Sequence, residues 1–237
     1  MSKRTFLNLL ILFGVVFLLY KTFNATQIKK DTTAVNNQVI TNIVPQDDKI
    51  NKLQNQLKEQ KSNANIVAGI YIPNTIINYL VVKASDNEYY TKKDINGSED
   101  DHGAIFMDYI NKADNSDKNT IIYGHNMKDG TMFTDLCKYK KRDFFNENRY
   151  IYLCTSKGIT KWEIFSAYVT PKEYFNYLCV DFKSEYHYMK FIKILKQRSK
   201  FARDIILDKD DRILTLQTCS YEYKGAKFVI HARLTNN

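Results

Sequence analysis

IVAGIYIPNTIINYLVV, residues 66–82, is the stretch on which the fold turns. Two apolar runs rich in Ile, Val and Tyr, IVAGIYIP and TIINYLVV, meet at Pro73-Asn74, a turn-type interruption, so the segment predicts two short strands rather than one helix. The same pattern returns downstream in GAIFMDYI (103–110), NTIIYGH (119–125), YIYLCTS (150–156), KWEIFSAYVT (161–170), ILTLQTC (213–219) and KFVIHARL (227–234). Short β-branched and aromatic runs at close intervals, separated by turn residues, favour a barrel or sandwich over alternating βαβ units. Two helices are expected to interrupt the series. One is short, around Met132 to Tyr139; the other, Glu185 to Gln197, carries Tyr188, Phe191, Ile192 and Leu195 at helical spacing.

Upstream of Ile66 the chain changes character twice. Between Asp47 and Ser62, Ile50, Leu53 and Leu57 recur at helical spacing among polar residues, a narrow apolar stripe able to rest on a neighbour. Residues 24–49, rich in Thr, Asn, Gln and Lys, read as a polar stalk. Before them, Thr5 to Tyr20 (TFLNLLILFGVVFLLY) is 16 residues without a formal charge, preceded by Lys3 and Arg4. As a helix it would span roughly 24 Å, which Lys21, Thr22 and Phe23 extend towards the bilayer core of about 30 Å. Ala25 has Phe23 two positions before it, a poor cleavage pattern, so an uncleaved transmembrane anchor is expected. The basic pair stays inside and the bulk of the chain lies outside. The expected organisation is therefore residues 1–23 as cytoplasmic tip and anchor, 24–65 as stalk and N-terminal helix, and 66–237 as one catalytic domain.

Composition sets bounds on function. The chain has 237 residues, 44% hydrophobic, with 8 Gly and 3 Pro, which excludes collagen-like and low-complexity classes. A net charge of +9 would suit nucleic acid or anionic membrane and wall polymers, and external topology removes nucleic acid as a partner. Four cysteines, Cys137, Cys154, Cys179 and Cys219, are too few for a disulfide framework in a domain this large. No C-x-x-C or H-x-x-x-H spacing suggests a metal, and no G-x-G-x-x-G or Walker A motif suggests a nucleotide cofactor.

Chemistry is expected where two strands end. Cys219 closes ILTLQTC just before a polar turn, and His125 closes NTIIYG in the same way. A nucleophilic thiol needs a base or cationic partner, because the thiolate is the reactive form. The other histidines sit less favourably: His102 in an acidic loop, His187 on a lysine-rich helix, His231 inside the last strand.

YGHN at Tyr123 to Asn126, TLQTC at Thr215 to Cys219 and the N-terminal anchor together resemble the sortases, the cysteine transpeptidases of Gram-positive bacteria. IIYGHNMKDGTMF (121–133) and the helix before the cysteine strand are similar to class B in particular. The resemblance implies a mainly β fold, an eight-stranded sortase-type β-barrel with peripheral helices, with His125 and Cys219 catalytic. It implies a thioacyl intermediate formed on the threonine of a C-terminal sorting motif (NPQTN-like or related) in secreted proteins, resolved by an amine of the peptidoglycan precursor. No cofactor is implied.

The family's third residue is an arginine on the strand after the cysteine, where this chain has Lys227; Arg233 is the later candidate. If the last two strands form a hairpin across Ser220 to Ala226, residues whose numbers sum to about 446 lie opposite, pairing Cys219 with Lys227 and Ile213 with Arg233. That sets Arg233 roughly 20 Å away along the strand, so Lys227 takes the arginine role. Lysine offers a point charge rather than a planar fork. The backbone N–H of Ser220 is expected to help hold the oxyanion, with Thr218 and Gln217 beside it; class B sequences commonly carry Ser where this chain has Gln217. Two rival readings remain at this point: another extracellular Cys/His peptidase, or a sortase-like binding protein without turnover.

Overall fold

The computed structural model describes residues 21–23, 27, 48–60, 63–171, 176–201 and 203–235. The expected anchor over 1–23 and stalk over 24–49 fall almost wholly outside the described residues. Among the described residues no helix is long and apolar enough to cross a membrane. The chain divides into two units, Met1–Gln46 and Asp47–Asn237, and the strands and the site they carry all belong to the second.

Eight strands close into a barrel: β1 (Ile66–Tyr71), β2 (Asn78–Val82), β3 (Ile105–Met107), β4 (Asn119–Tyr123), β5 (Tyr150–Thr155), β6 (Gly158–Pro171), β7 (Ile213–Cys219) and β8 (Ala226–Leu234). Their order round the barrel is β1-β2-β3-β4-β7-β8-β6-β5. β2–β3 and β4–β7 are parallel and the other neighbours antiparallel. A parallel β4–β7 pair cannot be joined by a tight turn, so everything from Gly124 to Arg212 serves as its crossover. The barrel interior is filled by large apolar side chains, with Trp162, Phe133, Tyr139 and Phe145 all fully buried.

Helix α1 (Asp48–Glu59) lies on this barrel, burying Ile50 and Leu53 against it, each worth about 1.5–3 kcal/mol. The close approach explains Gly69 in β1: an added Cβ would stand 2.7 Å from Leu53 Cγ. Helix α2 (Arg142–Glu147) is short. Helix α3 (Glu185–Arg198) is capped by Ser184, whose hydroxyl accepts the His187 N–H, and carries Lys196 and Arg198 in its last turn, where cations complement the helix dipole. Its buried face, Tyr188, Phe191, Ile192 and Leu195, is the stripe read from the sequence.

Several elements differ from the sequence reading in extent. The second strand starts only at Asn78, because the Thr75 hydroxyl bonds Ile72 O and the Ile77 N–H and makes 75–77 a turn. GAIFMDYI yields only Ile105–Met107: Asp108 turns the chain, its carboxylate accepting the Ile110 N–H and its carbonyl that of Asn111. The helix expected at Met132–Tyr139 is a 3-10 turn over Thr134–Lys140, followed by α2, which periodicity did not reveal. Six residues are too few to print an apolar repeat.

Candidate active site

Strands β4, β7 and β8 are neighbours, and alternation along them decides what can meet. Ile122, Leu214, Leu216, Phe228, Ile230 and Ala232 belong to the barrel core. The alternate positions therefore share the outer face: 119, 121 and 123 on β4, 213 to 219 by odd numbers on β7, and 227 to 233 by odd numbers on β8. β7 and β8 pair from Ile213↔Arg233 to Cys219↔Lys227, the register expected from the hairpin arithmetic. β4 and β7 run in step from Asn119↔Ile213 to Tyr123↔Gln217, a constant offset of 94. Carried two residues on, that offset brings His125 level with Cys219.

At this end of the three strands lies a cavity of about 230 Å³, lined by Cys219, Lys227, His125, Gln217, Leu178 and Phe106 among others. Lys227 Nζ donates to Cys219 Sγ at 3.2 Å. An ammonium at that distance forms a charge-assisted hydrogen bond to a thiolate, the form able to attack a carbonyl. His125 Nε2 lies 2.7 Å from the Thr91 carbonyl. A carbonyl can only accept, so Nε2 carries a proton, and Nδ1, which bonds nothing among the described residues, is the nitrogen left for proton transfer. Asn126 Nδ2 donates to the Cys219 carbonyl at 2.9 Å, and Tyr221 OH donates to the Asn126 carbonyl at 2.6 Å. These bonds staple the turn after His125 to the turn after Cys219. Gly124 is required by crowding: an added Cβ would meet Ile105 Cδ1 and stand 2.7 Å from Phe133 Cγ.

The remaining expected residues fall differently. Gln217 faces the cavity, with Oε1 accepting from Tyr177 OH at 2.7 Å and Nε2 unspent on any described residue. Thr218 reaches the cavity wall, but its hydroxyl donates to the Gly124 carbonyl at 2.8 Å, tying β7 to the turn before His125. Ser220 is a correction. Its N–H, expected to face an oxyanion, donates to the Ala226 carbonyl at 2.9 Å and closes the hairpin, and its hydroxyl is shared between Lys140 and Glu222. Hairpin closure consumes the donor that a turn position had suggested was free. Arg233 lies outside the cavity, donating to the Ile206 carbonyl at 2.9 Å and reaching Glu163 at 3.4 Å.

The other thiols are held in their neutral form by burial. Desolvation pushes Cys154 up to about 12 and raises Cys137 and Cys179 as well. All four cysteines are free. His102 bridges Asp100 and Asp129 at 2.9 and 2.8 Å, and hydrogen bonds to Asp129 and then Asp100 raise its pKa. Among the described residues no group of His, Cys, Asp or Glu is arranged to hold a metal ion. The sequence reading missed Thr91 and Leu178, both in long connections where no periodicity marks a residue that folds back onto a site. Asn126 was legible only as part of YGHN.

A family model described as the sortase domain matches residues 70–235. The chain is 35% identical over 189 residues to sortase B of Listeria monocytogenes, covering 77% of this chain and 75% of that protein. The crystal structure of Clostridium perfringens sortase B superposes with a TM-score of 0.71 at 34% identity, covering 77% of this chain and all of that one. A Staphylococcus aureus sortase B–substrate complex does so with a TM-score of 0.71 at 30% identity, covering 78% and 94%. A barrel of this strand order, matched in sequence over most of its length, places the chain in the sortase family, class B, and makes it a cysteine transpeptidase.

Proposed function

We propose that this chain is a membrane-anchored transpeptidase that cleaves a sorting motif of secreted proteins after threonine and joins them to a cell-wall amine, with Cys219 as nucleophile, His125 as proton shuttle and Lys227 in the arginine's place. The observation that carries the reading is the contact of Lys227 Nζ with Cys219 Sγ, in a cavity that His125 also lines. The Cys219 thiolate attacks the threonine carbonyl, forming an S–C bond, and the tetrahedral oxyanion collapses with loss of the amide C–N bond. His125 Nδ1, having taken the Cys219 proton as the thiolate formed, delivers it to the departing amine. An incoming amine then attacks the thioester, the S–C bond breaks, and the amine's proton returns to His125. Lys227 interacts first with the thiolate and then with the oxyanion, a role in which an oriented cation is worth several kcal/mol.

The S. aureus relative, solved as a substrate complex, supports a peptide occupying the corresponding cavity here. Lys3 and Arg4 before the apolar run Thr5 to Tyr20 support a single-pass location with the barrel on the extracellular side. Anchoring would raise the local concentration of enzyme where translocated substrates and a lipid-linked acceptor arrive.

The test is intact mass of the soluble fragment from Ala25 onward after incubation with NPQTN, NPKTG, LPxTG and PPxTG-type peptides, beside Cys219→Ala. An adduct equal to the peptide cut after Thr, absent from the variant, is expected. A folded enzyme with free Cys219 and no adduct from any peptide would sink the sorting-motif reading.

A further inference from the structure

Below the reactive end of the same three strands lies a second polar system, which the chemistry above does not use. Asn119 of β4 is fully buried. Its Nδ2 donates to the Tyr177 carbonyl at 3.2 Å and to the Cys179 carbonyl at 2.9 Å. Carbonyls only accept, so the carboxamide has one orientation, with Oδ1 turned to Thr215 Oγ1 at 2.6 Å. The Thr215 hydroxyl must donate there. Its oxygen then accepts from His231 Nδ1 at 2.9 Å, which makes Nδ1 the protonated nitrogen and leaves Nε2 to accept from Tyr168 OH at 3.0 Å. Every direction is thereby determined in the chain from Tyr168 through His231, Thr215 and Asn119 to the strap, residues 177–182, that crosses this face. Thr215 and His231 are also fully buried, and burial holds the His231 ring neutral, pushed down to about 3.

The end of this relay lies beside the substrate cavity. Tyr177 and Cys179, whose carbonyls Asn119 grips, flank Leu178, and Leu178 lines the cavity with Cys219. Tyr177 OH in turn holds Gln217, another lining residue. Further along the strap, Phe182 is anchored on α3 by ring contacts with Tyr188 and Phe191 at 4.8 and 4.9 Å. Near Leu178 itself, two hydrogen bonds from one buried carboxamide set where the wall stands.

We propose that Asn119 is a positioning residue for the acyl-donor wall: through the Tyr177 and Cys179 carbonyls it fixes Leu178 and, by way of Tyr177, the Gln217 amide, and so sets affinity for the peptide rather than the rate of the chemical step. The inference rests on the transpeptidase reading of this cavity, and it deepens that reading by separating the residues that hold substrate from those that react.

The test uses Thr215→Val, close in shape but without the hydroxyl that orients Asn119, with Thr215→Ser as the conservative rescue and Asn119→Asp as a second variant that loses the paired N–H donors. Three readouts are taken on the whole extracellular fragment: steady-state kinetics with the peptide that forms the adduct, hydrogen exchange across the molecule, and the ratio of Cys219 labelling by a bulky maleimide to that by iodoacetamide. Thr215→Val should raise KM about tenfold with kcat within about threefold, the equivalent of weakening one or two buried hydrogen bonds. Exchange should quicken in 177–180 and not in β7 or β8, the labelling ratio should shift, and Thr215→Ser should restore all three. Uniform loosening of the barrel, unchanged exchange in 177–180, or a fall in kcat at constant KM would overturn the proposal. Should the wild-type enzyme cleave no peptide, the sorting-motif reading falls, while exchange in 177–180 and the labelling ratio still decide the role of Asn119.

Discussion

Two ends of one sheet face carry opposite kinds of polar chemistry. On the outer side of β4, β7 and β8, the end with Cys219 and Lys227 leaves capacity unspent: Nδ1 of His125 and Nε2 of Gln217 have no described partner, and the thiol has one donor at 3.2 Å. Four residues along β7 and β8 from Cys219 and Lys227, and six before His125 on β4, Thr215, His231 and Asn119 are fully buried, with each ring nitrogen and side-chain oxygen bonded. The strands and their alternation are common to both ends; what differs is the cover. Tyr177, Tyr168 and the apolar face of α3 close over the lower end, where an unpaired polar group would cost about 1–3 kcal/mol. The upper end stays open as a cavity, where unpaired donors can wait for a substrate.

The contrast between the two ends is tested most severely at Cys219. Cys219→Ala should lower turnover roughly 10⁴-fold or more and abolish the thioacyl adduct, since removing a nucleophile collapses the unit it belongs to. Retained adduct would mean that another thiol reacts. Next is the cation. Lys227→Ala should cost about 10²–10³ in kcat/KM, the loss seen on removing an oxyanion donor, whereas Arg233→Ala should change it less than about threefold. The reverse ranking would move the reactive end to the other half of the hairpin.

At the satisfied end the expected effect is on stability. His231 is neutral in the fold with a pKa near 3, against 6.5 for the free side chain. Between those values the unfolded chain binds the proton and the folded chain does not, so the contribution is intact above about pH 6.5 and is lost as pH falls towards 3. Between pH 6.5 and 4.5 this group alone should remove about 2 kcal/mol of unfolding free energy. Urea unfolding of wild type and His231→Gln at both pH values checks it, the variant lacking that increment; equal pH dependence in the two would mean that the ring takes up a proton inside the fold.

The smallest expected difference concerns the thiols themselves. At pH 6.5, iodoacetamide should label Cys219 at least about tenfold faster than Cys137, Cys154 or Cys179, because a cation faces Cys219 while burial raises the other three. Peptide mapping after timed quenching measures this, and uniform slow labelling would show that the Lys227 contact does not activate the thiol.

Alternation and turn residues in the sequence alone determine eight strands, the hairpin that sets Lys227 against Cys219, and the amphipathic helix before it, because period and register are local properties of the chain. The sequence also limits the candidate bases to four histidines and marks His125 by its strand-end position. Only the tertiary structure decides that β4 runs parallel beside β7 with an offset of 94, which brings His125 level with Cys219. It alone spends the Ser220 N–H on Ala226, ties His125 to Thr91 and places Leu178 in the cavity wall. These facts depend on long connections returning to the sheet, and where a backbone group finds its partner is set by packing across distant segments, which leaves no periodic trace in the residues themselves.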